Sequence, residues 1–381
     1  MQSKSYSFNH LDELVAQQSS IVEFAPSLLI VYAAPSFFEN DDLYGVLKAL
    51  NVNFIGCSTA GEIVNKQVSN NSISLVAIRF ETNAKVKIYT QRIDDMCTSF
   101  ETGVALSSSI EKSELKGIYL LSPGLDVNGS ALINGLSKHL PASIGVSGGL
   151  AGDNGDFNAT YVLGPEGISS SNVVAVGFYG EHLQFGYGAS GGWRSFGPAR
   201  QITRAKENIL CELDDKPALD IYKHYLGEYA KDLPSIGLLF PFEKLSETGQ
   251  PTGLIRTILG VEEKDKTLVL AGDVSEQQYL RLMHASSDDL IDGATAAVKI
   301  ATSNYSVQDS HQLALITSCV GRKLVMGDRV EEEIEEVERF LPQDTAIAGF
   351  YSYGELCPFS DGAKCELHNQ TLTIMLLREI L

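Results

Sequence analysis

Three passages of this chain repeat one order of features, and that recurrence limits the fold more than any single motif does. The clearest copy is Gly349-Phe350-Tyr351-Ser352-Tyr353-Gly354-Glu355-Leu356, followed after a loop by Leu367-His368-Asn369-Gln370-Thr371-Leu372-Thr373-Ile374. Near the N-terminus stand Ile55-Gly56-Cys57-Ser58-Thr59-Ala60-Gly61-Glu62-Ile63 and then Ser69 to Leu75. Midway come Ile144-Gly145-Val146-Ser147-Gly148-Gly149-Leu150-Ala151-Gly152-Asp153 and then Asn172 to Phe178. Each is a turn of small and polar residues, a loop, and an apolar run of strand type. Upstream, Leu28 to Ala33, Ile118 to Leu121 and Leu313 to Ile316 are β-rich runs followed by helical patterns. Leu28 lies 28 residues before Gly56, Ile118 27 before Gly145, and Ala314 35 before Gly349. The pattern predicts an α/β fold of mixed β-sheets with outer helices, built from three copies of a strand-helix-strand-turn-strand unit. Repeated units of this kind pack around a common centre, so the three turns are expected to converge there.

At 381 residues the chain suits two domains, 1–215 and 216–381, parted near Asp214-Asp215-Lys216-Pro217 where a helix opens. Hydrophobic residues make up 44%, which excludes wholesale disorder. A net charge of −19 repels nucleic acid and anionic membranes, so neither is an expected partner. The cysteines at 57, 97, 211, 319, 357 and 365 show no Cys-x-x-Cys spacing and no secretory leader precedes them. They read as reduced thiols of a cytoplasmic protein. No apolar run approaches the roughly 20 residues that span a bilayer.

Locally, residues 8–18 read as an amphipathic helix, and Val174 to Phe178 with His182 to Gly186 as strands paired across Gly180-Glu181. Val330, Ile334, Val337 and Leu341 form one stripe of an acidic helix. Glu331, Glu332, Glu333, Glu335 and Glu336 around it read as a solvated face. Strand parity turns His368 and His284 inward and leaves His182 outward. His224 lies off the apolar stripe of its helix, and His10, His139 and His311 belong to polar surroundings.

Two familiar patterns fail on context. Gly145-x-Ser147-x-Gly149 and Gly188-x-Ser190-x-Gly192 match a nucleophile elbow, but neither serine is followed by a helix-forming stretch. Gly186-x-Gly188-x-x-Gly191 matches a dinucleotide fingerprint with Glu207 downstream, yet Trp193 to Pro198 cannot open a pyrophosphate-binding helix. With no triad, metal cluster or phosphate loop, an enzyme is not expected. Glycine-flanked turns leave backbone N–H groups open to a small polar ligand. Ser58, Thr59, Glu62, Ser352 and Glu355 are therefore candidate ligand contacts, the two glutamates being equally able to serve as structural acceptors.

The motifs resemble those of the FIST family. Gly56 to Glu62, Gly148 to Asp153 and Lys216 to Tyr222 are similar to its N-terminal domain. Ser318-Cys319-Val320-Gly321-Arg322, Gly349 to Glu355 and His368 to Thr371 are similar to its C-terminal domain. The resemblance adds Cys57, Arg322, Tyr351, Tyr353 and Asn369 to the candidate ligand contacts. It implies a cytoplasmic sensory module of signal transduction that binds a small ligand, amino acids among the family's candidates, and reports to a separate effector. A chain of this length also resembles the NosP-type proteins, which implies haem as cofactor, nitric oxide as signal and a separate histidine kinase as partner in a two-component system. His368 is then the first candidate for haem iron and His284 the second. The competing expectation is a haem-free sensor of an amino acid or other small metabolite.

Overall fold

The structure, a computed structural model, describes residues 1–303 and 312–380. His311 lies outside them. Three six-stranded sheets share one strand order, and the three predicted copies account for it. In the first, Gln2–Phe8, Ile73–Arg79, Leu28–Ala33 and Phe54–Ser58 lie side by side in that order; in the second, Lys85–Arg92, Asn172–Tyr179, Leu115–Ser122 and Gly145–Leu150; in the third, Leu183–Ser190, Leu372–Glu379, Leu313–Cys319 and Ala346–Ser352. The last two strands of each of these sets run parallel, as a helical crossover between them requires.

Each sheet is completed by a hairpin from a different copy. Glu62–Val64 and Gln67–Ser69, from the first turn, extend the third sheet beside Ala346–Ser352. Val162–Gly164 and Gly167–Ser169, from the second, extend the first sheet beside Phe54–Ser58. Gly354–Pro358 and Cys365–His368, from the third, extend the second sheet beside Gly145–Leu150. The exchange is cyclic. Gly56, Gly148 and Gly349 occupy equivalent places in it, since a Cβ at each would lie 2.4, 1.9 or 2.0 Å from the carbonyl oxygen of Val31, Leu120 or Ile316. Only glycine allows the paired strands that approach.

Alternate residues of every long strand face inward, and those of all three sheets meet in one core that includes Ile30, Tyr32, Tyr119, Val176, Leu315, Phe350 and Met375. Its centre is packed solid: the Tyr32 and Tyr119 hydroxyls are 2.6 Å apart and Phe350 stacks on Tyr32 with ring centroids 4.9 Å apart. The opposite strand faces are covered by helices. Leu11–Glu23 and Asp42–Ala49 cover the first sheet, and Ser99–Ser109, Gly129–Leu136, Ser287–Ser303 and Glu331–Arg339 cover the other two. Strands buried on both faces read as continuous apolar runs such as Leu28-Leu29-Ile30-Val31-Tyr32-Ala33. An eight-stranded sheet drawn from residues 194–284, with its own core around Ile202, Tyr222, Phe242 and Leu280, is inserted into the third copy.

Several expectations need correction. Each copy also owns an edge strand and a first helix, so residues 2–8 form a strand and the helix predicted at 8–18 runs Leu11–Glu23. Asn172–Tyr179 and Leu183–Ser190 do not pair; they belong to different sheets, because their apolar faces are needed by different copies. Glu333 is not solvated: it is fully buried beneath the acidic helix. His284 ends its strand exposed, its ring edge against Phe196, where the alternation stops with the strand. No helix among the described residues is long and apolar enough to cross a membrane.

Candidate functional site

The three turns meet. Ala60 N–H donates to the Tyr351 carbonyl and Tyr351 N–H to that of Gly61, both at 2.8 Å. Gly152 N–H donates to the Ser58 carbonyl at 3.0 Å, and Tyr353 N–H to that of Leu150 at 3.1 Å. The Ser58 hydroxyl closes the ring on the Gly152 carbonyl at 2.7 Å. Backbone N–H groups that a ligand was expected to use are thus used by neighbouring turns.

The two glutamates sit in matched surroundings, fully buried. Glu62 accepts from the Thr59 hydroxyl at 2.5 Å and from the Ser72 N–H and hydroxyl at 3.0 and 2.8 Å. Glu355 accepts from the Ser352 hydroxyl at 2.9 Å and from the Thr371 N–H and hydroxyl at 3.1 and 2.9 Å. Burial pushes the Glu355 carboxyl up to about 8 despite those donors. Burial also raises Glu62, against the pull of its hydroxyl partners and of Lys323. Both carboxyls tie the end of a turn to the start of the following strand. The second copy has Val162 at the equivalent hairpin position, so the pair has no third member.

The remaining predicted contacts are held in the same way. Cys57 is buried in the central core and burial pushes its thiol up, away from the reactive thiolate. Arg322 donates Nε to Glu333 at 3.0 Å and an Nη to it at 2.6 Å, and caps the Leu290 and Gly191 carbonyls. Glu333 also accepts from the Ser318 and Tyr351 hydroxyls at 2.9 and 2.7 Å. A buried cation with its carboxylate and every lone pair occupied is a structural joint. Asn369 donates to the His368 carbonyl at 3.0 Å and leaves its Oδ1 buried without a partner. The Tyr353 hydroxyl donates to Asp153, and Phe157 stacks on its ring with centroids 4.5 Å apart.

Tyr353 is the predicted residue that reaches a described cavity. With Leu150 of the second turn it lines a space of about 110 Å³ whose other walls are Met96, the loop from Gly124 to Gly129 and, from the inserted sheet, Asn208, Leu259 and Val269 to Gly272. Sequence reasoning missed these walls. Their one signal was the Pro-Gly and Asn-Gly punctuation of Pro123 to Gly129 after a buried strand, where Asn128 caps the helix Gly129–Leu136 through Ala131 N–H at 3.0 Å. Asp126, in the left-handed region at φ 56°, lines the same space.

Neither candidate histidine has room for haem beside it. His368 is fully buried, its Nε2 lies 2.8 Å from the Cys357 carbonyl, and the Phe359 ring packs edge-on with centroids 4.5 Å apart. Burial lowers the imidazole to about 4, the Cys357 contact opposing and Arg256 adding to the effect. Its Nδ1 has no partner, which suits a metal ligand, but His368 lines none of the described cavities. A porphyrin there would have to displace packed core, and exposed His284 offers no apolar slot. The residues as folded do not fit haem. Among the described residues no group of three or more His, Cys, Asp and Glu side chains is placed to hold a metal ion.

The FIST N domain model matches residues 27–216 and the FIST C domain model residues 218–358, together most of the chain. This chain belongs to the FIST family. FIST domains are associated with sensing of small ligands in signal transduction. In this FIST protein the two models meet inside the eight-stranded sheet, at the strand Lys216–Pro217. An uncharacterized protein of Methanocaldococcus jannaschii is 24% identical over 366 residues, covering 86% of this chain and 69% of that one. Among solved structures, cyanuric acid hydrolase from A. caulinodans covers 100% of this chain and 99% of its own at 8% identity and TM-score 0.37. PurLQS from Thermotoga maritima covers 99% and 72% at 7% identity and TM-score 0.21. Likeness at those scores says nothing of chemistry.

Proposed function

We propose that this FIST protein is a haem-free sensor that binds a small metabolite, an amino acid first among them, without transforming it. The ligand is seated in the 110 Å³ space between the turns and the inserted sheet. The observation that carries this reading is the double ownership of the walls: Leu150, Tyr353 and the 124–129 loop belong to the three-sheet body, and Asn208, Leu259 and Val269 to Gly272 to the inserted sheet. An occupant contacts both, so its binding free energy depends on how they sit against each other, which is the requirement for a signal. A cavity of roughly 150 Å³ takes benzene, so this one suits a ligand of few heavy atoms. The Asp126 carboxylate, without a partner among the described residues, suits an ammonium group, and Leu125, Val127 and Leu259 suit a short apolar side chain. Output passes to a separate effector, with a histidine kinase the first to test.

Thermal unfolding of the whole chain against the amino acids tests the reading. A ligand at 100 times its Kd adds about 2.7 kcal/mol. Ala271→Leu, which fills the space from the inserted sheet, should abolish the shift, and Asp126→Asn should weaken binding about tenfold. A shift unchanged in Ala271→Leu would place the ligand elsewhere.

A further inference from the structure

The largest of the described cavities is not at the turns. It opens at the opposite end of the three-sheet body, where strands Leu115–Ser122 and Gly145–Leu150 begin, and holds about 300 Å³. Lys116, Ser143, Phe185, Tyr187 and Asp361 line it, and a neighbouring space of about 260 Å³ shares Lys116 with it. We propose that this trough is a second binding site, for a planar aromatic anion whose ring lies on the Phe185–Tyr187 shelf and whose charge meets Lys116.

The shelf is built for a flat partner. Phe185 and Tyr187 point to the same side of the edge strand Leu183–Ser190, their rings stacked 6.0 Å apart and 3° from parallel. They lie flush on the two strand starts because Gly117 and Gly145 carry no side chain. A Cβ at Gly117 would meet the Phe185 ring at 2.9 Å, and one at Gly145 the Tyr187 ring at 2.3 Å. A stacked or edge-on aromatic ligand gains attraction on such a surface beyond that of the area it buries.

Two polar groups are unspent. Tyr187 is 5% exposed and its hydroxyl is buried without a hydrogen-bond partner, a deficit that a ligand acceptor would relieve. Lys116 is exposed at the mouth and has no ion pair among the described residues. Asp361, the carboxylate on the same wall, is held by the Tyr187 N–H at 2.9 Å. In a chain of net charge −19, an unpaired lysine beside an aromatic shelf is a local attractor for an anion. The volume stands at the lower end of the range of ordinary ligand sites.

Titration calorimetry of the full chain with benzoate, phenyl phosphate, benzyl alcohol and cyclohexanecarboxylate tests the proposal. Benzoate or phenyl phosphate is expected to bind saturably, and which of them binds tighter identifies the anionic group. The uncharged and the non-planar compounds should bind at least about tenfold more weakly. Lys116→Gln, at an exposed position, should weaken the aromatic anion about tenfold, the size of one charge-assisted hydrogen bond. Tyr187→Phe, which deletes an unpaired hydroxyl, should fold at least as well and bind more weakly. Ala271→Leu, at the other end of the body, should leave this binding intact, so the two sites fail independently. No saturable binding by either anion, or binding untouched by both Lys116→Gln and Tyr187→Phe, overturns the proposal.

Discussion

Glu355 offers a direct test of how the turns are held. In the folded chain its carboxyl is buried and lifted from the ordinary 4.5 to about 8, whereas an unfolded chain ionises it near the lower value. Between those values the folded state holds one proton more, so its stability falls as pH rises, by about 1.4 kcal/mol per unit. The contribution is complete below pH 4.5 and gone above about pH 8, on the order of 5 kcal/mol across the window. Glu355→Gln removes the proton and keeps the shape, its amide oxygen still facing the Thr371 N–H and hydroxyl and its amide nitrogen facing the Ser352 hydroxyl. Urea unfolding of both proteins from about pH 5.5 to about pH 8.5 isolates the effect, since every other titrating group cancels in the difference. The wild type is expected to be more stable at the acidic end by about 1 kcal/mol and to lose that lead steadily, the glutamine variant being ahead at the alkaline end. A difference that stays level with pH, or rises, would refute a neutral buried carboxyl.

Three further outcomes are expected. Arg322→Met should cost about 3–5 kcal/mol in urea unfolding because it strands Glu333, and Arg322→Met with Glu333→Leu should recover most of that loss. Gly349→Ala should cost about 3 kcal/mol or more by forcing a Cβ to 2.0 Å from the Ile316 carbonyl oxygen, whereas Gly362→Ala, at φ +78° with nothing near, should cost about 1 kcal/mol; thermal midpoints compare them. His368, lowered by burial to about 4, should show no imidazole titration centred near the ordinary 6.5 by NMR, and haem added to the protein should give no Soret band that His368→Ala removes.

The repeat was legible because every copy carries its own glycine, hydroxyl and apolar signals within a short span. The FIST resemblance was legible for the same reason, in motifs such as Gly349 to Glu355. What lay beyond local signals was partnership. Nothing in Gly354–Pro358 says that its ladder partner is Gly145–Leu150, because strand chemistry fixes which face is apolar but not whose edge is nearest. Glu333 was hidden in a charge run, and its difference from Glu332 is the presence of Arg322, Ser318 and Tyr351 beneath it. The candidate site suffered likewise: hydroxyl and carboxylate side chains at a glycine turn look the same whether they wait for a ligand or for Ser72 and Thr371. The cavity walls at Asn208 and Val269 to Gly272 come from an inserted sheet whose docking no periodicity records.

The cyclic exchange of hairpins bears on how this chain comes into being. Until the last strands emerge, at Gly354–Pro358 and Leu372–Glu379, the second sheet lacks its outer pair and the third lacks the strand that joins Leu183–Ser190 to Leu313–Cys319. A ribosome that has released only the FIST N portion holds a body with an unclosed side. The boundary between the two family matches therefore falls within a body that both portions build, and separate expression of the two halves should yield soluble material only when both are made together.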